Sequence, residues 1–166
     1  DPLGVASIRD AAADYAHPTE ILLMGGFIMA LALERWDLHR RIALYVVDHV
    51  GTDGRRLIGG FMLVCAVLSM WMTNTSTTMM LLPIVISVAA VIRDNVPNLS
   101  EKARNDFQIA MLLGLAYSAS IGGLATLIGT PPHALIMGFM EETYGIEISF
   151  ARWLLVGIPV SIAKLP

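Results

Sequence analysis

The chain has 166 residues, 55% of them hydrophobic and only 15% charged, with a net charge of −3 and a mean hydropathy of +0.65. Soluble domains carry about 25% charged residues, and here the missing charge falls in blocks: Leu57–Ile92 and Phe107–Met140 contain no Asp, Glu, Lys or Arg. Both runs exceed the roughly 18 apolar residues that mark a membrane helix. Leu57–Trp71 and Met79–Ile92 also lack the polar stripe of a soluble helix. The composition therefore predicts an all-α integral membrane protein in contact with the lipid bilayer. The negative net charge, and the lack of a basic patch with interleaved aromatics, exclude a nucleic-acid partner. Cys65 is the one cysteine, which excludes a disulfide framework and a cysteine-based metal site; inside an apolar run it reads as a small packing residue. No G-x-S-x-G, H-E-x-x-H, P-loop or C-x-x-C motif is present, which points away from an enzyme. The chain begins at Asp1 without a signal peptide and stops at Pro166 in an apolar segment, so it reads as an internal fragment of a longer protein.

In chain order, 1–20 is a mixed polar connecting segment with a short helix expected over 8–15. Residues 21–50 form a membrane segment followed by an interfacial helix. The apolar part, Ile21–Leu33, rises about 20 Å as a helix and is short of the roughly 30 Å hydrocarbon core. Trp36, Tyr45, Arg35, Arg40 and Arg41 beside Leu38, Ile42, Leu44 and Val46 suit a helix at headgroup level.

The stretch 57–92 would be about 54 Å long as one helix, too long for the bilayer, and it is slightly short for two full crossings. Its centre, Thr73-Asn74-Thr75-Ser76-Thr77-Thr78, is polar but uncharged. Two arms of roughly half-membrane length meeting at a polar tip, a re-entrant hairpin, fit best; irregular backbone at that depth must face protein or a water-filled cavity. The stretch 107–140 predicts a broken transmembrane helix. Pro131 and Pro132 remove backbone donors, and Thr130 is pushed out of the α region by the proline that follows it. One arm is expected to run to about Ile128 and the next from Ala134. Ala110, Gly114, Ser118, Gly122 and Thr126 recur every fourth residue, a row of small side chains against which another element, the hairpin, is expected to pack closely. Residues 150–166 begin a further crossing. Arg55 and Arg56 precede the hairpin, and Arg93, Lys102 and Arg104 follow it, which puts both its ends on the cytoplasmic side. The acidic loop Glu141–Glu147 carries no Lys or Arg.

Two interrupted membrane helices in succession point to a transporter binding site. A break exposes carbonyls that can coordinate a hard cation, and exposed N-terminal amides can hold an anion. Thr73, Asn74, Thr75 and Thr130 supply oxygen without fixed charge, and Ser69 lies one turn below the tip on the face of Thr73. His17, His39 and His49 read as surface residues. His133, directly after Pro132, reads either as a capping and packing residue or as a proton-sensitive site residue.

Ser69-Met70-Trp71-Met72-Thr73-Asn74-Thr75-Ser76-Thr77-Thr78 resembles the Ser-Asn-Thr hairpin motif of the divalent anion:sodium symporters, the INDY-type or solute carrier family 13 carriers. Ser120-Ile121-Gly122-Gly123-Leu124-Ala125-Thr126-Leu127-Ile128-Gly129-Thr130-Pro131-Pro132 resembles their broken-helix motif, and Gly25-Gly26-Phe27 with Glu34–Leu44 resembles the segment before the hairpin. The likeness runs from about Ala11 to Gly157. It implies a secondary carrier in the cell membrane, built of two inverted repeats of which this chain holds the first, that works as a homodimer with an elevator-like motion. Ser69, Thr73, Asn74 and the Gly129 carbonyl would form the first site for the coupling sodium ion. Thr73, Asn74, Thr75, Thr130 and Pro131 would border a small anionic substrate: a di- or tricarboxylate such as succinate or citrate, or sulfate. The sequence departs from the motifs at Thr73, where they have Ser, and at His133, where they usually have Asn. The missing C-terminal repeat would hold the other half of the site, so the fragment alone is not expected to transport. A sodium-independent exchanger, a related carrier such as one for arsenite, and a scaffold subunit that transports nothing are the alternatives.

Overall fold

The computed structural model describes residues 18–50, 53–95 and 100–165; the helix expected over 8–15 lies outside them. The described residues form helices joined by short turns, without a strand: α1 Pro18–Arg35, α2 Leu38–Val50, α3 Gly54–Ser69, α4 Asn74–Asn95, α5 Glu101–Leu124, α6 Pro131–Tyr144 and α7 Phe150–Lys164.

The turn between α1 and α2 depends on Asp37, which takes a left-handed backbone at φ 49°, a conformation that short polar side chains tolerate better than most. Helix α2 then lays Ile42, Ala43, Val46 and Val47 on the core, and Arg40, Arg41 and Tyr45 stay exposed. Arg35 and Trp36, expected on the same helix, instead fall at the end of α1 and in the turn before α2.

Helix α3 starts under the side chain of Asp53, whose carboxylate accepts from the Arg55 and Arg56 amides. It satisfies two of the donors that every helix start leaves open. Leu57, Phe61, Val64, Cys65 and Leu68 follow at helical spacing and are all buried. Facing them are Met111, Leu115 and Ala119 of α5 and Leu81 and Val85 of α4, and together these make the core. Helices α3 and α5 run parallel with their starts at one end. Gly54 lies against Phe107, Gly114 against Met62, and the Cys65 thiol donates to the Leu115 carbonyl at 3.3 Å.

The row of small residues expected from Ala110 to Thr126 holds on α5 as far as Gly122, and Thr126 lies beyond the helix end. Gly114, Ser118 and Gly122 are buried, and α3, the first arm of the hairpin, packs against them. The approach is tightest at Gly122, where a Cβ would stand 2.1 Å from the Ala66 carbonyl oxygen and 2.6 Å from the Ala66 Cα. Those atoms are helix backbone and cannot rotate away, so Gly122→Ala must push α3 off α5. Overpacking of this kind costs about 1–3 kcal/mol or more. The expected result is a clear drop in the thermal unfolding temperature of the full-length protein in detergent; an unchanged temperature would mean that the two helices are not in this contact.

The arms of the hairpin are unequal. Helix α3, with 16 residues, is about 24 Å long, longer than the half-membrane arm expected from the sequence. Helix α4 has 22 residues and continues through Pro83. Its segment Asn74–Val91 is, like Glu101–Leu124, long and apolar enough to cross a membrane. Pro83, exposed on the outer face of α4, lies inside the helix without ending it.

Candidate ion and anion site

Four helix ends meet where the hairpin turns and α5 breaks off. Helices α3 and α5 end there and α4 and α6 begin, so two carbonyl-rich C-termini and two amide-rich N-termini converge. The ends of opposite partial charge can serve a cation and an anion side by side. At the hairpin tip the Trp71 and Met72 amides return to the Leu68 carbonyl at 3.0 and 3.1 Å, which tightens the end of α3. Thr73 caps α4: its hydroxyl oxygen accepts from the Ser76 amide at 3.3 Å and its hydroxyl donates to Ser76 Oγ at 2.9 Å. The Thr78 hydroxyl bonds back to the Asn74 carbonyl at 2.7 Å.

Ser69 is fully buried. Its Oγ lies 2.7 Å from Asn74 Oδ1 and 2.7 Å from the Ala119 carbonyl, two acceptors for one hydroxyl proton. Asn74 lies against Gly123 of α5, where a Cβ would stand 2.2 Å from Asn74 Oδ1 and 2.8 Å from Thr130 Oγ1. Only a residue without a side chain lets these two oxygens approach the end of α5.

The break runs from Ala125 to Thr130. Helix α5 stops at Leu124, four residues before the expected Ile128, because the Thr126 side chain takes over the local bonding. Its oxygen accepts from the Gly129 amide at 3.0 Å, and its hydroxyl donates to the Met70 carbonyl in the hairpin turn. Helix α6 starts at Pro131 rather than Ala134, since proline suits the first helical position. Thr130 is extended at φ −141°, ψ 112° and makes no capping bond. Its Oγ1 is buried without a partner, as is that of Thr77 one turn along α4 from Asn74. A buried hydroxyl left unpaired is costly, and one that shares the Gly123 notch with Asn74 suits an oxygen-seeking ligand.

Of the residues singled out from sequence, Ser69, Asn74, Gly129 and Thr130 come together. A Cβ on Gly129 would lie 2.7 Å from the Ser69 carbonyl oxygen and 2.8 Å from that of Gly123, which joins the end of α3 to the break. Thr73 stands beside the cluster as the cap of α4. Thr75 and Pro131 are exposed on its outer side. Sequence reasoning missed Gly123, Trp153 and Ser161. Trp153 Nε1 donates to the Leu124 carbonyl at 3.1 Å, and the Ser161 hydroxyl donates to the Ile121 carbonyl at 2.8 Å. Trp153, Gly157 and Ser161 stand four apart on α7, and that row was the signal for a helix packed along the end of α5.

Paired interrupted helices that meet through uncharged oxygens are the build of a membrane-transporter binding region. A family model described as "Citrate transporter" matches residues 2–166, and the chain belongs to that family, in line with its likeness to the divalent anion:sodium symporters. The sodium-dependent dicarboxylate transporter SdcS of Staphylococcus aureus (strain USA300) is 37% identical over 166 residues, which cover 99% of this chain and 32% of that protein. The protein of the same name from Staphylococcus saprophyticus is also 37% identical over the same share. The chain thus spans about a third of the length of the curated relatives it matches, and it is a multi-pass protein of the cell membrane.

Proposed function

We propose that this chain is the N-terminal repeat of a secondary transporter that couples sodium to the uptake of di- or tricarboxylates. The observation that carries the reading is the convergence of Asn74 Oδ1 and the unpartnered Thr130 Oγ1 at Gly123, with Ser69 Oγ bonded to Asn74 Oδ1. Sodium, a hard cation, prefers such neutral oxygens, and here the carbonyl ends of α3 and α5 add partial negative charge. Ser69, Thr73, Asn74 and the Gly129 carbonyl are assigned to sodium. Thr73, Asn74, Thr75, Thr130 and Pro131 are assigned to the border of the anion, which the N-termini of α4 and α6 favour electrostatically. The staphylococcal relatives, sodium-dependent dicarboxylate transporters by name, support both ligands.

The hairpin is read as re-entrant, with its tip reached from the cytoplasmic side. Arg55 and Arg56 at the start of α3 are exposed, as the positive-inside tendency asks. The relatives' greater length leaves room for a second repeat with its own hairpin and break, which would complete the anion site. The complete carrier is read as a dimer in which the hairpin and broken helix move together. It is a transporter and performs no covalent chemistry on its substrate.

Uptake of labelled succinate by the full-length protein, in sodium medium and with choline in its place, tests this reading. Uptake is expected to need sodium. Equal uptake in both media would favour an exchanger and would remove the sodium assignment from Ser69 and Gly129.

A further inference from the structure

We propose that His133 is a positioning residue that fixes the shape of the unwound stretch 125–130 against the hairpin tip, with Trp153 of α7 as its backing. This rests on the reading of tip and break as the transport site. His133 is buried, and its Nδ1 stands 3.1 Å from the carbonyl oxygen of Thr126. A carbonyl only accepts, so Nδ1 carries the hydrogen. The ring is thereby held in the tautomer with its hydrogen on Nδ1.

Thr126 is the node of the break. Its hydroxyl donates to Met70 in the hairpin turn and accepts the Gly129 amide. Holding its carbonyl therefore holds both connections. The His133 ring lies on Trp153, with centroids 4.6 Å apart, and Trp153 Nε1 holds the carbonyl of Leu124 two residues upstream. Two ring N–H groups thus occupy the Leu124 and Thr126 carbonyls, which have lost their helical partners at the end of α5, and they set the path of the chain to Gly129 and Thr130. A smaller side chain at 133 would free the Thr126 carbonyl and loosen the stretch. Asparagine, with a side-chain N–H of similar reach, would keep the bond.

The test uses the full-length protein with His133→Ala, His133→Asn and Trp153→Phe. Hydrogen–deuterium exchange of a peptide covering 125–130 reads the positioning without any transport. Exchange is expected to speed up in H133A, stay near wild type in H133N, and rise part of the way in W153F. Sodium and succinate half-saturation read the consequence. H133A is expected to raise both about tenfold or more, the scale on which the partners of metal ligands act, with a smaller change in maximal rate, and H133N is expected to restore them. Unchanged exchange in H133A overturns the proposal whatever the protein carries. Faster exchange with unchanged half-saturation also overturns it, because His133 then supports only the fold. If the wild type takes up no succinate, the functional reading fails while the exchange result still decides for or against the positioning.

Discussion

Asn74→Ala is expected to abolish succinate uptake by the full-length protein while expression and membrane insertion stay near normal. The separation of the two effects follows from the bonding around the tip. Helix α4 is capped by Thr73, not by Asn74, so the helix start survives the change. Ser69 keeps a partner, because its hydroxyl also reaches the Ala119 carbonyl. The loss is confined to the amide, whose oxygen sits in the Gly123 notch near Thr130 Oγ1 and whose nitrogen can donate at the same place. Labelled uptake set beside the amount of protein in the membrane checks it. Uptake at the wild-type level would reduce the tip to a helix turn whose hydroxyls bond only to one another and to nearby backbone.

Gly123→Ala is the second large effect, and it contrasts with its neighbour. At Gly122 an added methyl would strike the backbone of Ala66, whereas at Gly123 it would strike side chains, Asn74 Oδ1 at 2.2 Å and Thr130 Oγ1 at 2.8 Å. Side chains can rotate away, and alanine favours a helix over glycine by about 1 kcal/mol. Gly123→Ala is therefore expected to keep its unfolding temperature close to wild type and to lose uptake, because the methyl fills the notch and turns both oxygens out of place. Gly122→Ala is expected to lose stability first. If Gly123→Ala transports normally, the notch is not part of the site.

The division between what the sequence shows and what it hides is physical. The polar tip and an interruption ahead of Pro131-Pro132 are local signals and both appear, although the break is shifted to Ala125–Thr130 and the two prolines open α6. The row of small residues holds on α5 as far as Gly122, because its four-residue spacing is a property of one helix, while Thr126 falls in the break. The end of α5 was misplaced by four residues because it depends on Thr126, which bonds to Met70 in another element, and no local propensity encodes that contact. Gly123 was overlooked for the same reason: a glycine near a helix end looks ordinary until Asn74 and Thr130 are beside it. The choice left open for His133 narrows once its Nδ1 is seen on the Thr126 carbonyl. The length of α4 was underestimated because the charge-free run was divided evenly about its tip, whereas the helix continues to Asn95.

The central claim is that the hairpin tip and the break bind sodium as one site. Its most direct test is the thermal unfolding temperature of the purified full-length protein as sodium is raised at constant ionic strength, since a ligand that binds only the folded state must stabilise it. Wild type is expected to gain stability with sodium and not with potassium or choline, and Asn74→Ala and Gly123→Ala are expected to lose that gain. A sodium-dependent rise of equal size in wild type and both variants would place the ion elsewhere and contradict the site described above.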